Sequence, residues 1–229
     1  MRCAYPIMLD VTDRRIVIIG GGAVAARKAA GAIAAGATKV RVISPDFCKT
    51  MPTNVEKIVA EYSSDHLDGA ELVFAATNNP QVNERIVADA RARKILVSRA
   101  DGAGASAGSD QSEDEASVGD FLTPALFRDG RVTVAISAGG NPALATYIRD
   151  QLARSWQGGW SKMADAMQAL RPQIRQDSRI PIERRKAIFK DLATPEAIDA
   201  LDAGGLSALR EWLAKRHPEI VTHTHAPRP

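Results

Sequence analysis

Cysteine is nearly absent: Cys3 and Cys48 are the only two among 229 residues. So sparse a pair excludes a disulfide-stapled scaffold and a cysteine-based metal cluster, and it suits a reducing cytoplasm. Aromatic residues make up 5% of the chain and do not alternate with basic clusters. Together with the lack of any nucleic-acid motif, this favours a small molecule over a nucleic-acid partner. No apolar run is long enough to span a bilayer. The opening MRCAYPIML is too short and too interrupted for a signal peptide. The expectation is a soluble, cytoplasmic protein with no membrane partner. A dominant charge is also missing, since the net is only +3. That balance hides an imbalance: residues 101–120 carry six acids and no lysine or arginine, so the rest is distinctly basic. Such a body suits a polyanionic small molecule, or simply a solvated surface.

What the chain does have is a glycine triplet in a telling place. Residues 14–36 read RRIVIIGGGAVAARKAAGAIAAG: a β-branched run, a break, then an alanine-rich stretch without proline. The order is strand, tight turn, helix. The spacing Gly20-x-Gly22-x-x-Ala25 fits a dinucleotide fingerprint. Gly20 allows the turn, Gly22 lets backbone approach a pyrophosphate, and Ala25 keeps the helix close to the sheet. The first N–H groups of the helix, those of Ala23 and Val24 among them, would hold the anion. Any glycine-rich strand-to-helix turn can show this spacing, so a purely structural turn is the rival reading.

Further strands and helices alternate behind it. Residues 5–9 form an apolar lead-in expected to pin against the first strand. Residues 39–43 (KVRVI) read as the second strand and end at Ser44-Pro45-Asp46, where Asp46 is either the ribose-binding acid or a solvated turn residue. Residues 56–62 suggest a third strand. The loop at 65–69 carries His66, read as a surface residue. Residues 71–76 form a buried strand that ends in Thr77-Asn78-Asn79-Pro80. Thr77 and Asn78 are candidates for ribose or nicotinamide contact, against a plain helix cap that Asn79 supplies alone. A helix over 81–93 and a strand over 95–97 lead to Asp101. This alternation predicts an α/β, Rossmann-like, doubly wound parallel sheet, with the loops after residues 19, 43, 76 and 97 on one rim.

Residues 102–119 (GAGASAGSDQSEDEASVG) are small, acidic and low in complexity, which predicts a mobile loop. Hydrophobicity returns at 121–127, a turn follows at 128–130, and 131–136 (RVTVAI) is an alternating strand. The next turn, SAGGNP, opens a helix over about 143–156. Its Ser137, Gly139, Gly140 and Asn141 either hold an anionic group of a substrate or merely reverse the chain. From residue 158 only helices are expected, at 160–170, 183–192, 195–201 and 206–215. Arg171, Arg175, Arg179, Arg184, Arg185 and Lys186 make this part basic. His223 and His225 sit in a Pro-ending tail and are read as disordered rather than as metal ligands.

With these residues assembled, the chain resembles the precorrin-2 dehydrogenase and sirohydrochlorin ferrochelatase family, also found as the N-terminal part of siroheme synthase. The matching stretches are Pro6-Ile7, VIIGGGAVAARK at 17–28, AATNNPQVNER at 75–85, Ala100-Asp101, DFLTPA at 120–125 and VTVAISAGGNPALATYIR at 132–149. The resemblance implies a homodimer with an NAD-binding domain over 1–120, a dimerisation region over 121–150, a helical domain over 151–217 and a tail over 218–229. It also implies oxidation of precorrin-2, a tetrapyrrole with eight carboxylates, to sirohydrochlorin with NAD, and in some members insertion of ferrous iron as a further substrate. The family's key acid falls on Asp101. A carboxylate there accepts the proton that leaves alongside the hydride, whereas the rival reading makes it a turn residue before Gly102. This chain departs from the pattern by interposing its acidic insertion between Asp101 and the DFLTPA stretch. No arginine lies at 44–47 to meet a 2′-phosphate, which favours NAD over NADP. An NAD-binding sensor without turnover is the alternative from another functional class.

Overall fold

The computed structural model describes residues 5–99, 119–156, 158–178, 180–218 and 220. By internal contacts the chain divides into two compact units: residues 1–123 with 138–142, and residues 124–137 with 143–229.

The first unit is built on a five-stranded parallel sheet of order β3-β2-β1-β4-β5. Its strands are β1 Arg15–Ile19, β2 Lys39–Ser44, β3 Glu56–Val59, β4 Leu72–Ala75 and β5 Leu96–Arg99. β1 is central because its β-branched run has no solvent-facing side: Ile16 and Ile18 pack into one core, Val17 and Ile19 into the other. A strand buried on both faces reads as continuous hydrophobicity rather than alternation. Helix α1, Ala23–Ala34, covers the first core with Ala25, Ala26 and Ala29, whose small side chains let it lie close. Helix α2, Pro80–Ala92, covers the second with Ile86, Val87 and Ala90. Burying each large aliphatic side chain contributes about 1.5–3 kcal/mol, so these two faces supply most of the unit's stability.

β1 leads outward to β2 and β3, and the chain then returns past β1 to β4 and β5. The strand order therefore reverses between β1 and β4. The carboxyl ends of those two strands open a crevice at the switch point, where sheets of this kind bind ligands.

The second unit starts with an antiparallel hairpin of β6 Ala125–Asp129 and β7 Val132–Ile136, paired Asp129↔Val132 across Gly130 and Arg131. Gly130 adopts φ +53°. Helices α3 Pro142–Ser155, α4 Trp160–Gln176, α5 Ile182–Asp191 and α6 Pro195–Arg216 follow. Their core joins Met163, Leu170, Ile174, Ile188, Leu192, Leu209 and Leu213. The α6 backbone leaves helical geometry at Gly204 and Gly205, so this segment is two helices meeting where the sequence sets them apart. His217, 5% exposed in its side chain, ties the end of α6 to α5 through Asp191 Oδ2 at 2.9 Å.

Three expectations are corrected. The lead-in at 5–9 is not pinned: Tyr5 is 87% and Met8 72% exposed, and burial begins at Val11. Residues 125–129 form a strand, because the turn falls at 130–131 rather than 128–130. α4 continues past Pro172 to Gln176, since burial of Ile174 outweighs the one backbone hydrogen bond that proline removes. Among the described residues, no helix is long and apolar enough to cross a membrane.

Candidate functional site

Three loops meet at the switch-point crevice, and the glycine triplet sets how closely. Gly20 has φ +128°, and a Cβ there would lie 2.3 Å from the Ala76 carbonyl oxygen at the end of β4. Only glycine combines that backbone with that proximity. Gly22 precedes α1 as its N-cap, with no side chain capping the helix, and nothing among the described residues lies within 4 Å of its Cβ position. Ala23 is exposed and Val24 half-buried, and among the described residues no side chain caps the first turn of α1. Ala25 is fully buried beneath them. A bare helix start with an access gap where a side chain would otherwise stand fits a pyrophosphate.

The β2 loop supplies the second wall. Gly20 N–H donates to the Ile43 carbonyl at 2.8 Å and Cys48 N–H to the Gly21 carbonyl at 2.8 Å. Pro45 and Asp46 are exposed on this rim, and Asp46 Oδ1 accepts from the Phe47 N–H at 2.8 Å. A carboxylate here, one strand over from the helix start, is chemically suited to ribose hydroxyls.

The loop after β4 forms the third wall. Asn79 caps α2, its side chain accepting from the Gln81 and Val82 N–H groups. Thr77 is half-buried and Asn78 exposed. Thr77 is held by a residue that no sequence motif singles out. Asn83, 0% exposed, accepts from the Thr77 N–H at 3.1 Å, donates from Nδ2 to the Thr77 carbonyl at 3.1 Å and lies 2.8 Å from its hydroxyl. In the sequence Asn83 stands one turn into a helix whose cap is already Asn79, inside the AATNNPQVNER stretch, and neither fact marks it as a site residue. Replacing Asn83 with alanine strands two backbone groups and is expected to destabilise the first unit by about 2–5 kcal/mol, read as a lower urea midpoint, and to weaken dinucleotide binding.

Near this rim, Lys28 of α1 hydrogen-bonds Thr123 Oγ1 and lies 5.8 Å from the Phe74 ring centroid. Burial first, and then Arg27, push its pKa below the usual lysine value. Phe121 packs edge-on against Phe74 at 5.4 Å. Asp120 occupies the outer edge of β5: its N–H donates to the Val97 carbonyl at 2.6 Å, Oδ2 accepts from Val97 N–H at 3.1 Å, and Oδ1 meets Arg91 at 3.0 Å. Residues 119–123 thereby run from β5 to α1.

Of the residues expected to form the site, Gly20, Gly22, Ala23, Val24, Pro45, Asp46, Thr77 and Asn78 share this rim. Asp101 lies outside the described residues, as do 102–118, Arg179, His223 and His225. Gly139 and Gly140, with φ +58° and +84°, form an exposed turn closed by Asn141 N–H on the Ala138 carbonyl at 3.0 Å. These three group with the first unit and Ser137 with the second. His66 is half-buried, and its Nδ1 accepts from the Ser63 N–H at 3.0 Å, capping the short helix Ser64–Leu67. Among the described residues, no three His, Cys, Asp or Glu side chains assemble as a metal site. A polar cavity of about 240 Å³ lies at the opposite, amino-terminal ends of β1 to β3, lined by Arg15, Lys39, Arg41 and Glu56 among others. It is separate from the crevice.

Residues 7–125 match a family model described as "Putative NAD(P)-binding". The siroheme synthase of Chromobacterium violaceum is 30% identical over 219 residues, covering 93% of this chain and 43% of the relative. That of Nitrosospira multiformis is 30% identical over 232 residues, covering 97% and 45%. The chain therefore spans less than half the length of these curated relatives. Among solved structures, one titled "SirC, precorrin-2 dehydrogenase" superposes with TM-score 0.68 at 21% identity, covering 93% of this chain and 100% of that one.

Proposed function

We propose, on the premise that this chain belongs to the NAD(P)-binding precorrin-2 dehydrogenase family, that it oxidises precorrin-2 to sirohydrochlorin with NAD. The observation that carries the reading is the convergence of three loops, 20–22, 44–46 and 76–79, around a bare helix start at the switch point. Bound there, NAD supplies a hydride acceptor. The N–H groups of Ala23 and Val24 hold the pyrophosphate, the carboxylate of Asp46 takes ribose hydroxyls, and Thr77 and Asn78 orient the nicotinamide end. Asp101, two residues beyond the last residue of β5, accepts the proton released from the macrocycle. Ser137, Gly139, Gly140 and Asn141 offer a polar turn to substrate carboxylates. Iron insertion is a second step of the same reading: ferrous iron is a substrate, and Asp101 removes pyrrole protons as the metal enters.

The decisive experiment mixes the protein anaerobically with precorrin-2 and NAD. NADH equal to the tetrapyrrole consumed, with a sirohydrochlorin spectrum, is expected; NAD binding without either signal would leave the sensor reading. Adding ferrous iron then tests chelation against a protein-free control.

The homodimer belongs to this proposal. No residue of β6 or β7 is fully buried, and Leu126, Leu144, Tyr147 and Ile148 on the hairpin and α3 are 40–60% exposed. A monomer rarely leaves so many large apolar groups uncovered on consecutive elements. Light scattering is expected to give twice the chain mass, and Leu126→Glu with Tyr147→Glu to return it to one.

A further inference from the structure

The middle glycine of the triplet has no place in the Gly20-x-Gly22-x-x-Ala25 spacing, yet it has the most restricted surroundings of the three. Gly21 is buried, and its φ is outside the left-handed region. An alanine could adopt this backbone without conformational strain. What forbids one is another part of the chain: a Cβ at Gly21 would stand 1.7 Å from the Asp46 carbonyl oxygen and 2.7 Å from Ser44 Oγ. The carbonyl of Gly21 meanwhile accepts the Cys48 N–H at 2.8 Å. The β2 loop is thus seated directly on Gly21, tied to it by a hydrogen bond and occupying the space that any side chain there would need.

Resting on the reading that the crevice binds a nicotinamide dinucleotide, we propose that Gly21 is a positioning residue that sets the Asp46 carboxylate and thereby the preference for NAD over NADP. A carboxylate at the ribose accepts a hydrogen bond from a 2′-hydroxyl and repels a 2′-phosphate, so one group both selects and rejects. Its effect depends on distance, because such a bond forms only at about 2.5–3.0 Å. Reaching an ordinary 3.4 Å contact from 1.7 Å forces the Asp46 backbone away by more than that range allows. Gly21→Ala therefore withdraws Asp46 without touching its side chain.

The test is calorimetric titration of the full chain with NAD and with NADP, in the wild type, Gly21→Ala, Asp46→Ala and the double variant, with thermal midpoints recorded for each. The wild type is expected to prefer NAD. Each single variant is expected to lose a factor of roughly ten or more of that preference, the worth of one charge-assisted hydrogen bond. The double variant should lose no more than Asp46→Ala alone, because Gly21 acts through Asp46. If Gly21→Ala does not fold, the same change in a Ser44→Ala background removes the second obstruction, and the same loss is expected there. Equal weakening of NAD and NADP by Gly21→Ala, or additive losses in the double variant, would overturn the proposal. A wild type that binds neither dinucleotide overturns the dinucleotide reading itself, a result distinct from a wild type that binds both without preference, which overturns only the role of Asp46 and Gly21.

Discussion

Replacing Asp101 with asparagine is expected to lower precorrin-2 oxidation by roughly 10²–10⁴-fold, the usual contribution of one positioned general base. Asparagine preserves size and most hydrogen bonding but cannot accept a proton, so the loss belongs to kcat and corresponds to about 3–5 kcal/mol of barrier. NAD affinity should stay unchanged, since Asp101 is not among the groups assigned to the pyrophosphate or the ribose. The pH profile separates this from a structural effect. A wild-type acidic limb, where protonation of the carboxylate shuts the reaction down, should vanish in the variant's residual rate. Full turnover in Asp101→Asn would remove the residue from the chemistry and make it a turn residue before Gly102. Loss of NAD binding instead would place the carboxylate on the cofactor rather than on the proton.

How far the sequence could be read depends on whether the determinant is local. β1 and β4 were legible because parallel strands buried on both faces are unbroken apolar runs, as in residues 16–19 and 72–75. Helix starts were legible where a cap and a proline coincide, as at Asn79 and Pro80. The break at Gly204 and Gly205 was legible because glycine is a poor helix former in both members of the pair. β6 was not, since every residue in it is half-buried or exposed and its pairing is set by a hairpin partner that comes later. On the crevice, the spacing rule found Gly20, Gly22 and Ala25, because the fingerprint records the turn, the backbone approach and the helix-to-sheet packing that a dinucleotide site needs. It passed over Gly21 and Asn83, whose reasons lie elsewhere: a carbonyl from the β2 loop in one case, the backbone of Thr77 in the other. Contacts that no such fingerprint records leave no period or spacing behind them.

The glycine triplet offers a contrast in which fold and ligand binding come apart. Gly20→Ala is expected to damage the fold. It places a Cβ at φ +128° and 2.3 Å from the Ala76 carbonyl oxygen, while Ala76 N–H donates to Ile19 at 2.9 Å to extend the pairing of β1 and β4. Relieving the overlap means moving the end of β4, where that pairing holds it. Backbone strain costs about 1–3 kcal/mol and overpacking about 1–3 kcal/mol, against a total stability of roughly 5–15 kcal/mol. The first unit's unfolding midpoint should therefore fall by about 5–20 °C, whether or not ligand is present. Gly22→Ala should do the opposite. Nothing among the described residues stands within 4 Å of its Cβ position, so the midpoint of the free protein moves little beyond the small loss of alanine at an N-cap. The methyl group fills the approach to the helix start, and dinucleotide binding should weaken roughly 10–150-fold, the worth of one hydrogen bond to a charged group. Stabilisation by added NAD, measured as the rise in midpoint with ligand concentration, separates the two: reduced in Gly22→Ala, retained in whatever fraction of Gly20→Ala still folds. A Gly22→Ala protein that melts early but binds NAD normally would make the triplet a folding device alone and remove the cradle from the site.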